Sequence, residues 1–315
     1  MTDKLQALRA RMTLPVIVAP MFLISGPDMV IAACRAGVIG CFPAPNAREL
    51  DTLDAWCARI ARETDGAATN CAPWALNLIA HSSYARFADE LEIVERHKPP
   101  LVITALGSPV RVLDTVHGYG GLVFADVSRP VHARKAIEAG ADGLVLVSAG
   151  AGGHTGSYSP FAFVAEVRRF WPGPIVLSGA ISDARSILAA QALGADFAYM
   201  GTRFLAAQES LGEPDRKAMT IAVSMEDIVT SAAVTGVPAN WMLPSLTAAG
   251  FTPEMLRAER KMDFTSTDKA KPWKNIWGAG QAVGAVTASE PVAEIIARLR
   301  DDYTALRAAF CGRAT

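Results

Sequence analysis

Short, continuously apolar runs recur along the chain, each followed by a glycine-rich or polar loop and then an amphipathic stretch. Eight of these runs read as strands: Val16–Ala19, Val38–Phe42, Trp74–Ile79, Leu101–Leu106, Leu122–Val127, Leu144–Ala149, Pro174–Ser178 and Phe197–Gly201. Unbroken apolarity, rather than alternation, is the signature of parallel strands covered on both faces. The intervening stretches predict helices over Pro27–Ala36, Ala47–Glu63, Ser82–His97, Pro109–His117, Pro130–Ala139, Pro160–Phe170 and Asp183–Leu193. Several begin with proline, whose missing N–H costs nothing in the first turn. Ala139-Gly140-Ala141-Asp142 and Leu193-Gly194-Ala195-Asp196 each predict a helix ended by a left-handed glycine before the next strand. Eight β/α units within about 210 residues predict an α/β protein of the (β/α)8 TIM-barrel class rather than an open doubly wound sheet.

The rhythm changes after the eighth run. Residues 211–274 carry scattered prolines, tryptophans and short helical pieces, and read as an inserted helical cap over a barrel core of residues 1–210. Residues 275–315 form the closing segment. There the spacing of Val292, Ile295, Ile296, Leu299, Tyr303 and Leu306 predicts a helix over Pro291–Phe310.

Composition narrows the class. In 315 residues, 51% are hydrophobic and 19% charged, a globular balance. A net charge of −1 gives no field for nucleic acid or an anionic membrane, so an anionic ligand must be held by local geometry. The N-terminus lacks a signal-peptide pattern, and the run Leu14–Ile24 is too short to span a bilayer; a cytoplasmic protein is expected. Five cysteines, odd in number and without C-x-x-C spacing, predict reduced thiols. No spacing of histidines and acids suggests a metal site.

Candidate chemistry belongs at the C-terminal ends of barrel strands. Those positions are Pro20-Met21, Asn77, Asp126, Ser148 through Gly156, Ser178-Gly179-Ala180 and Gly201-Thr202. The loops after strands seven and eight are the usual phosphate cradle of such a barrel, where glycines let backbone N–H groups approach an anion. Within Gly150-Ala151-Gly152-Gly153-His154-Thr155-Gly156, glycines crowd around one histidine, and imidazole can exchange a proton near neutral pH. His81, His97, His117 and His132 read as ordinary solvated side chains. Gly278-Ala279-Gly280-Gln281-Ala282-Val283-Gly284 echoes a dinucleotide fingerprint but follows no βαβ strand, and that reading is rejected.

The motifs Gly152-Gly153-His154-Thr155-Gly156, Ser178-Gly179-Ala180-Ile181 and Gly201-Thr202-Arg203-Phe204 resemble those of the nitronate monooxygenase (2-nitropropane dioxygenase) family. Ala19-Pro20-Met21 and Trp277-Gly278-Ala279-Gly280-Gln281 extend the resemblance along almost the whole chain. The superfamily also holds FMN-dependent enoyl-ACP reductases and some NADH:quinone reductases. The resemblance implies an FMN cofactor and oxidation of alkyl nitronates with O2 as flavin oxidant. It implies His154 as base or substrate-orienting group, Ala19, Pro20 and Met21 beside the isoalloxazine, and Asn77 hydrogen-bonded to the flavin. Gly179, Ala180, Gly201 and Thr202 would hold the phosphate. Ser148, Gly152, Gly153, Ser178 and Gln281 are counted with the cofactor contacts. Asp126 stands where many relatives carry lysine, so it is either turned away or touches another flavin group. Ala180 replaces a frequent glycine and cannot supply a glycine-only conformation. An NAD(P)H-fed reductase acting on a quinone or enoyl thioester is the alternative activity, and a non-redox barrel for a phosphorylated metabolite is a third class. Substrate choice is expected in Ser157, Tyr158 and residues 211–274. The partners expected are a small-molecule substrate, O2 and a second copy of the chain.

Overall fold

A computed structural model describes residues 3–65, 71–257 and 274–312. The parallel strands are β1 (Val16–Val18), β2 (Ile39–Pro43), β3 (Trp74–Ile79), β4 (Leu101–Ala105), β5 (Leu122–Val127), β6 (Gly143–Val147), β8 (Ile175–Ser178) and β9 (Phe197–Met200). They close into one barrel in the order β1-β2-β3-β4-β5-β6-β8-β9, with β9 pairing back onto β1 through Ile17 and Tyr199. The fold is the (β/α)8 barrel that the apolar rhythm implies, with bounds shifted by one or two residues at several strand ends. The helices on its outside are α2 (Pro27–Arg35), α3 (Leu50–Glu63), α4 (Phe87–His97), α5 (Val110–Gly118), α6 (Pro130–Ala139), α7 (Pro160–Arg168) and α8 (Ala184–Leu193). The helix expected from Ser82 starts only at Phe87, after a loop that leaves the strand end at Ala80. Gly140 and Gly194 cap α6 and α8 at φ +100° and +105°, as their position after the last apolar turn demands.

Strand periodicity sorts every side chain to one of two faces. Ile17, Ile39, Ala75, Ile103, Phe124 and Val176 belong to one buried cluster fed by all eight strands, which is the barrel interior. Val18, Leu76, Val102, Val123 and Leu144 face outward onto the helices. Two residues beyond the interior set along their strands come Asn77, Asp126 and Ser178, so the upper layer of the interior is polar where the lower layers are apolar.

The N-terminal helix α1 (Asp3–Ala10) was not evident in the residue pattern. Leu5 and Leu8 enter the interior cluster from below, and the Arg9 guanidinium lies 5.8 Å from the centre of the Phe197 ring. Burying two leucines stabilises this plug by about 1.5–3 kcal/mol each. The last helix, α12 (Val292–Cys311), packs between α2 and α8 through the apolar positions expected of it, and the Tyr303 hydroxyl donates to the Gln191 side chain at 2.7 Å.

After β9 the chain forms helix α9 (Pro214–Ala222), strands β10 (Ile228–Ser231) and β11 (Ala239–Met242), and short helices α10 (Leu243–Ala248) and α11 (Pro253–Leu256). Residues 258–273 of the expected cap lie outside the described residues. Besides short helices, this segment contains an antiparallel hairpin that sequence reasoning did not anticipate. A third strand, β7 (Gly153–His154), pairs with β11 to complete a small sheet. Val234, Ala239, Trp241, Leu246 and Ile276 give it a core of its own. Of the cysteines, Cys34, Cys41, Cys57 and Cys71 are buried free thiols; the side chain of Cys311 lies outside the described set. No described helix is long and apolar enough to cross a membrane.

Candidate active site

The C-terminal ends of the strands open into a cavity of about 800 Å³. That is within the range of sites that take a cofactor and a small substrate together. Ala19, Pro20, Met21, Asn77, Asp126, Gly152, Gly153, His154, Ser178, Gly179, Ala180, Gly201 and Thr202 all stand on its wall. Two expected contacts do not. The Ser148 hydroxyl is fully buried and donates to the Ser178 carbonyl, so it closes the gap between β6 and β8. Gln281 is exposed, and its backbone N–H donates to the Gly150 carbonyl at 3.0 Å. The loop regions break the strand period, so position in sequence alone does not put either on the wall. Ser157 and Tyr158 are likewise outside the wall; the Tyr158 ring packs on Phe163 at 5.7 Å.

The loop after β8 has a conformation set by crowding. Gly179 adopts φ +123°, and a Cβ there would meet the Ser148 hydroxyl and stand 2.6 Å from the Ala149 carbonyl oxygen. Only glycine fits. Ala180 follows at φ +55°, the left-handed region that the sequence reading denied it. The residue accepts the strain instead of avoiding the conformation, at a cost of about 1–2 kcal/mol. Ala180→Gly is expected to change stability by between zero and about +1 kcal/mol, since glycine removes that strain but costs chain entropy. A thermal melt checks it, and a marked loss of stability would contradict the strained geometry.

Opposite this loop, Gly201 and Thr202 begin the turn after β9. The Thr202 hydroxyl accepts the Gly280 N–H at 2.8 Å, which draws the 278–280 segment over the cavity. Gly152 passes so close to that segment that a Cβ would lie 2.7 Å from the Gly280 nitrogen. The glycine-rich run dismissed as a nucleotide fingerprint thus has a different role: it packs backbone on backbone to roof the site. The backbone at residues 179–180 and 201–202 lines the cavity from two adjacent loops, an arrangement whose N–H groups suit a phosphate, while the first turn of α8 is capped by the Asp183 carboxylate.

His154 is held from the cap side. Its backbone pairs with Ala239 in the small sheet, and the neighbouring Asn240 side chain donates to the Ala151 carbonyl at 2.7 Å. The imidazole lines the cavity, and burial lowers its pKa below the usual 6.5. A lowered pKa leaves it neutral near pH 7, the form that accepts a proton.

The floor is set by Asn77 and Asp126. The Asn77 amide donates to the Ile103 carbonyl at 3.0 Å, which fixes the side chain across the barrel top. Asp126 is not turned away: it lies on the inner face of β5 and lines the cavity, with its Oδ1 buried and unpaired. Desolvation raises its pKa to about 7. Tyr199 and Cys41 lie beneath it, and each is pushed up by burial and by the Asp126 charge. A carboxyl raised from 3.8 contributes stability that is fully present below pH 4 and is lost as pH rises through about 7. Asp126→Asn is therefore expected to remove a few kcal/mol of stability loss between pH 4 and 8. Denaturant unfolding across that range measures it; parallel pH profiles for the two proteins would refute it.

Lys135, His132 and Arg216 also reach the wall, and none was singled out by sequence. Each lies on a helix or near its start, where a cationic side chain ordinarily points to solvent.

The family model for nitronate monooxygenases matches residues 45–302. The chain belongs to the nitronate monooxygenase family. A nitronate monooxygenase of Paraburkholderia phytofirmans is 28% identical, with 90% of this chain aligned to 91% of that protein. A (3aS,4S,5R,7aS)-5-hydroxy-7a-methyl-1-oxo-octahydro-1H-indene-4-carboxyl-CoA dehydrogenase of Rhodococcus jostii is 27% identical over 71% of this chain and 61% of its own length. Matches to this dehydrogenase, its Mycobacterium tuberculosis counterpart and a monooxygenase of M. tuberculosis span only 44–61% of those relatives. Among solved structures, FabK of Thermotoga maritima superposes with a TM-score of 0.80 at 24% identity, covering 99% of both chains. A nitroalkane oxidase of Streptomyces ansochromogenes gives 0.80 at 22% identity, covering 96% of this chain and 99% of the other. Both structures share the fold.

Proposed function

We propose that this member of the family is an FMN-dependent oxidoreductase that oxidises alkyl nitronates and uses O2 to reoxidise the flavin. The observation that carries the reading is that the backbone turns at residues 179–180 and 201–202 and a half-buried histidine with a lowered pKa face one cavity. The FMN phosphate is assigned to the backbone amides of residues 179–180 and 201–202, which stand on the cavity wall. Ala19, Pro20, Met21 and Asn77 would border the ring system, and Asp126 would meet one of its polar edges. When bound, FMN supplies a two-electron acceptor. His154 then has two tasks available to a neutral imidazole: to orient the nitronate oxygens, or, where the substrate arrives as the neutral nitroalkane, to take the proton from the carbon beside the nitro group and so generate the nitronate. Gly152 and the 278–280 segment keep water off the reacting carbon by roofing the cavity.

The reductase alternative draws on the FabK-like fold and the acyl-CoA relative. Anaerobic mixing separates the two. Propyl nitronate is expected to bleach the bound flavin and NADH to leave it yellow. Rapid bleaching by NADH with none by nitronate would replace the first reading with the second.

A further inference from the structure

Arg216 has a combination of properties that the fold does not require. It lies in α9, is only 6% exposed, and lines the cavity. Its Nε is buried with no hydrogen-bond partner, and among the described residues no carboxylate forms an ion pair with it. Burial alone lowers its pKa to about 10, still far above neutrality, so the guanidinium is charged when the protein works. A buried charge without a counter-charge is strongly unfavourable, and folded proteins pair such groups. Here the described residues offer none, while the cavity offers room. The other ionisable groups on the wall give no substitute. Lys135 is a second cation, His132 and His154 are imidazoles, and among the described residues Asp126 is the one acid on the wall, on strand β5 with its Oδ1 unpaired.

The cofactor phosphate is proposed to sit on the backbone after β8 and β9, and β9 neighbours β1 in the closed barrel; FMN titration of an Arg216 variant therefore separates a phosphate contact from a substrate contact. The Arg216 stem packs near Gly212, the space above Gly212 is bounded by Ile24, and the Leu211 N–H donates to the Ile24 carbonyl at 2.9 Å.

We infer that Arg216 binds the planar, two-oxygen anionic head of the substrate by a forked pair of hydrogen bonds. A guanidinium matches such a head bidentately, and a lysine does not. Nitronates and carboxylates share this geometry. The nitronate form of the inference rests on the activity proposed above; the anion site itself does not.

Butyrate, a carboxylate shaped like propyl nitronate, is the probe, and thermal melting of the purified protein is the first readout. Wild-type melting temperature is expected to rise with butyrate. Arg216→Met is expected to melt about 2–4 °C higher than wild type without anion, because an unpaired buried charge is gone, and to ignore butyrate. FMN titration is expected to be unchanged by the substitution. In turnover, Arg216→Met and Arg216→Lys should raise KM for propyl nitronate about 10- to 100-fold and alter kcat less. Four results would overturn the inference: no butyrate response in wild type, an equal response in Arg216→Met, a lower melting temperature in that variant, or loss of FMN binding. A protein that responds to butyrate through Arg216 but does not turn over nitronates keeps the anion site and loses only the proposed activity.

Discussion

His154→Ala is expected to lower kcat/KM for the neutral nitroalkane 1-nitropropane, whose α-proton a base must take, by about 10²- to 10⁴-fold while the protein keeps its flavin. The size follows from the role: general-base or orienting groups contribute on that scale, whereas the phosphate cradle lies on other loops and is untouched. The imidazole is also replaceable at little structural cost, because β7 is held to β11 through its backbone and through the Asn240 side chain. The pH profile gives a second signature. Burial holds the His154 pKa below 6.5, so the neutral base predominates at pH 7 and is lost only as pH falls through that lowered value. Wild-type kcat/KM should therefore fall on the acid side, and the alanine variant should lose this limb. Steady-state kinetics from pH 5 to 8 measure both effects. A variant with near wild-type activity would remove His154 from the mechanism.

Gly179→Ala is the second large effect. Alanine at φ +123° is strained, and its Cβ would run into the Ser148 hydroxyl and the Ala149 carbonyl, neither of which can retreat from the β6–β8 seam. Roughly 2–4 kcal/mol of strain and displaced backbone is expected at the site. The loop should relax away from the phosphate, with FMN affinity falling by about 100-fold or more. Fluorescence titration with FMN reads it directly. Unchanged affinity would show that this turn does not hold the phosphate.

The barrel was legible because eight parallel strands, buried on both faces, leave apolar runs that nothing else in a short loop-rich pattern imitates. The inward direction of Asn77, Asp126 and Ser178 follows from strand period once the lower layers are known to be apolar. The cap hairpin was hidden for a physical reason. β10 is four residues long, and β7 is two residues inside a glycine-rich loop, too short for alternation to show. Helix α1 was hidden because it buries only Leu5 and Leu8 among polar neighbours. Ser148 and Gln281 stand off the cavity wall because loop residues obey hydrogen bonds rather than a period. Arg216 was invisible because an arginine within a helix reads as solvent-facing, and only the folded chain shows that its tip is enclosed.

The most direct measurement is a crystal structure with FMN bound. The account predicts the phosphate within hydrogen-bonding distance, about 3 Å, of backbone amides in residues 179–180 and 201–202, and the ring system beside the His154 imidazole. A phosphate bound elsewhere, or a ring on the far side of the cavity from His154, would contradict it.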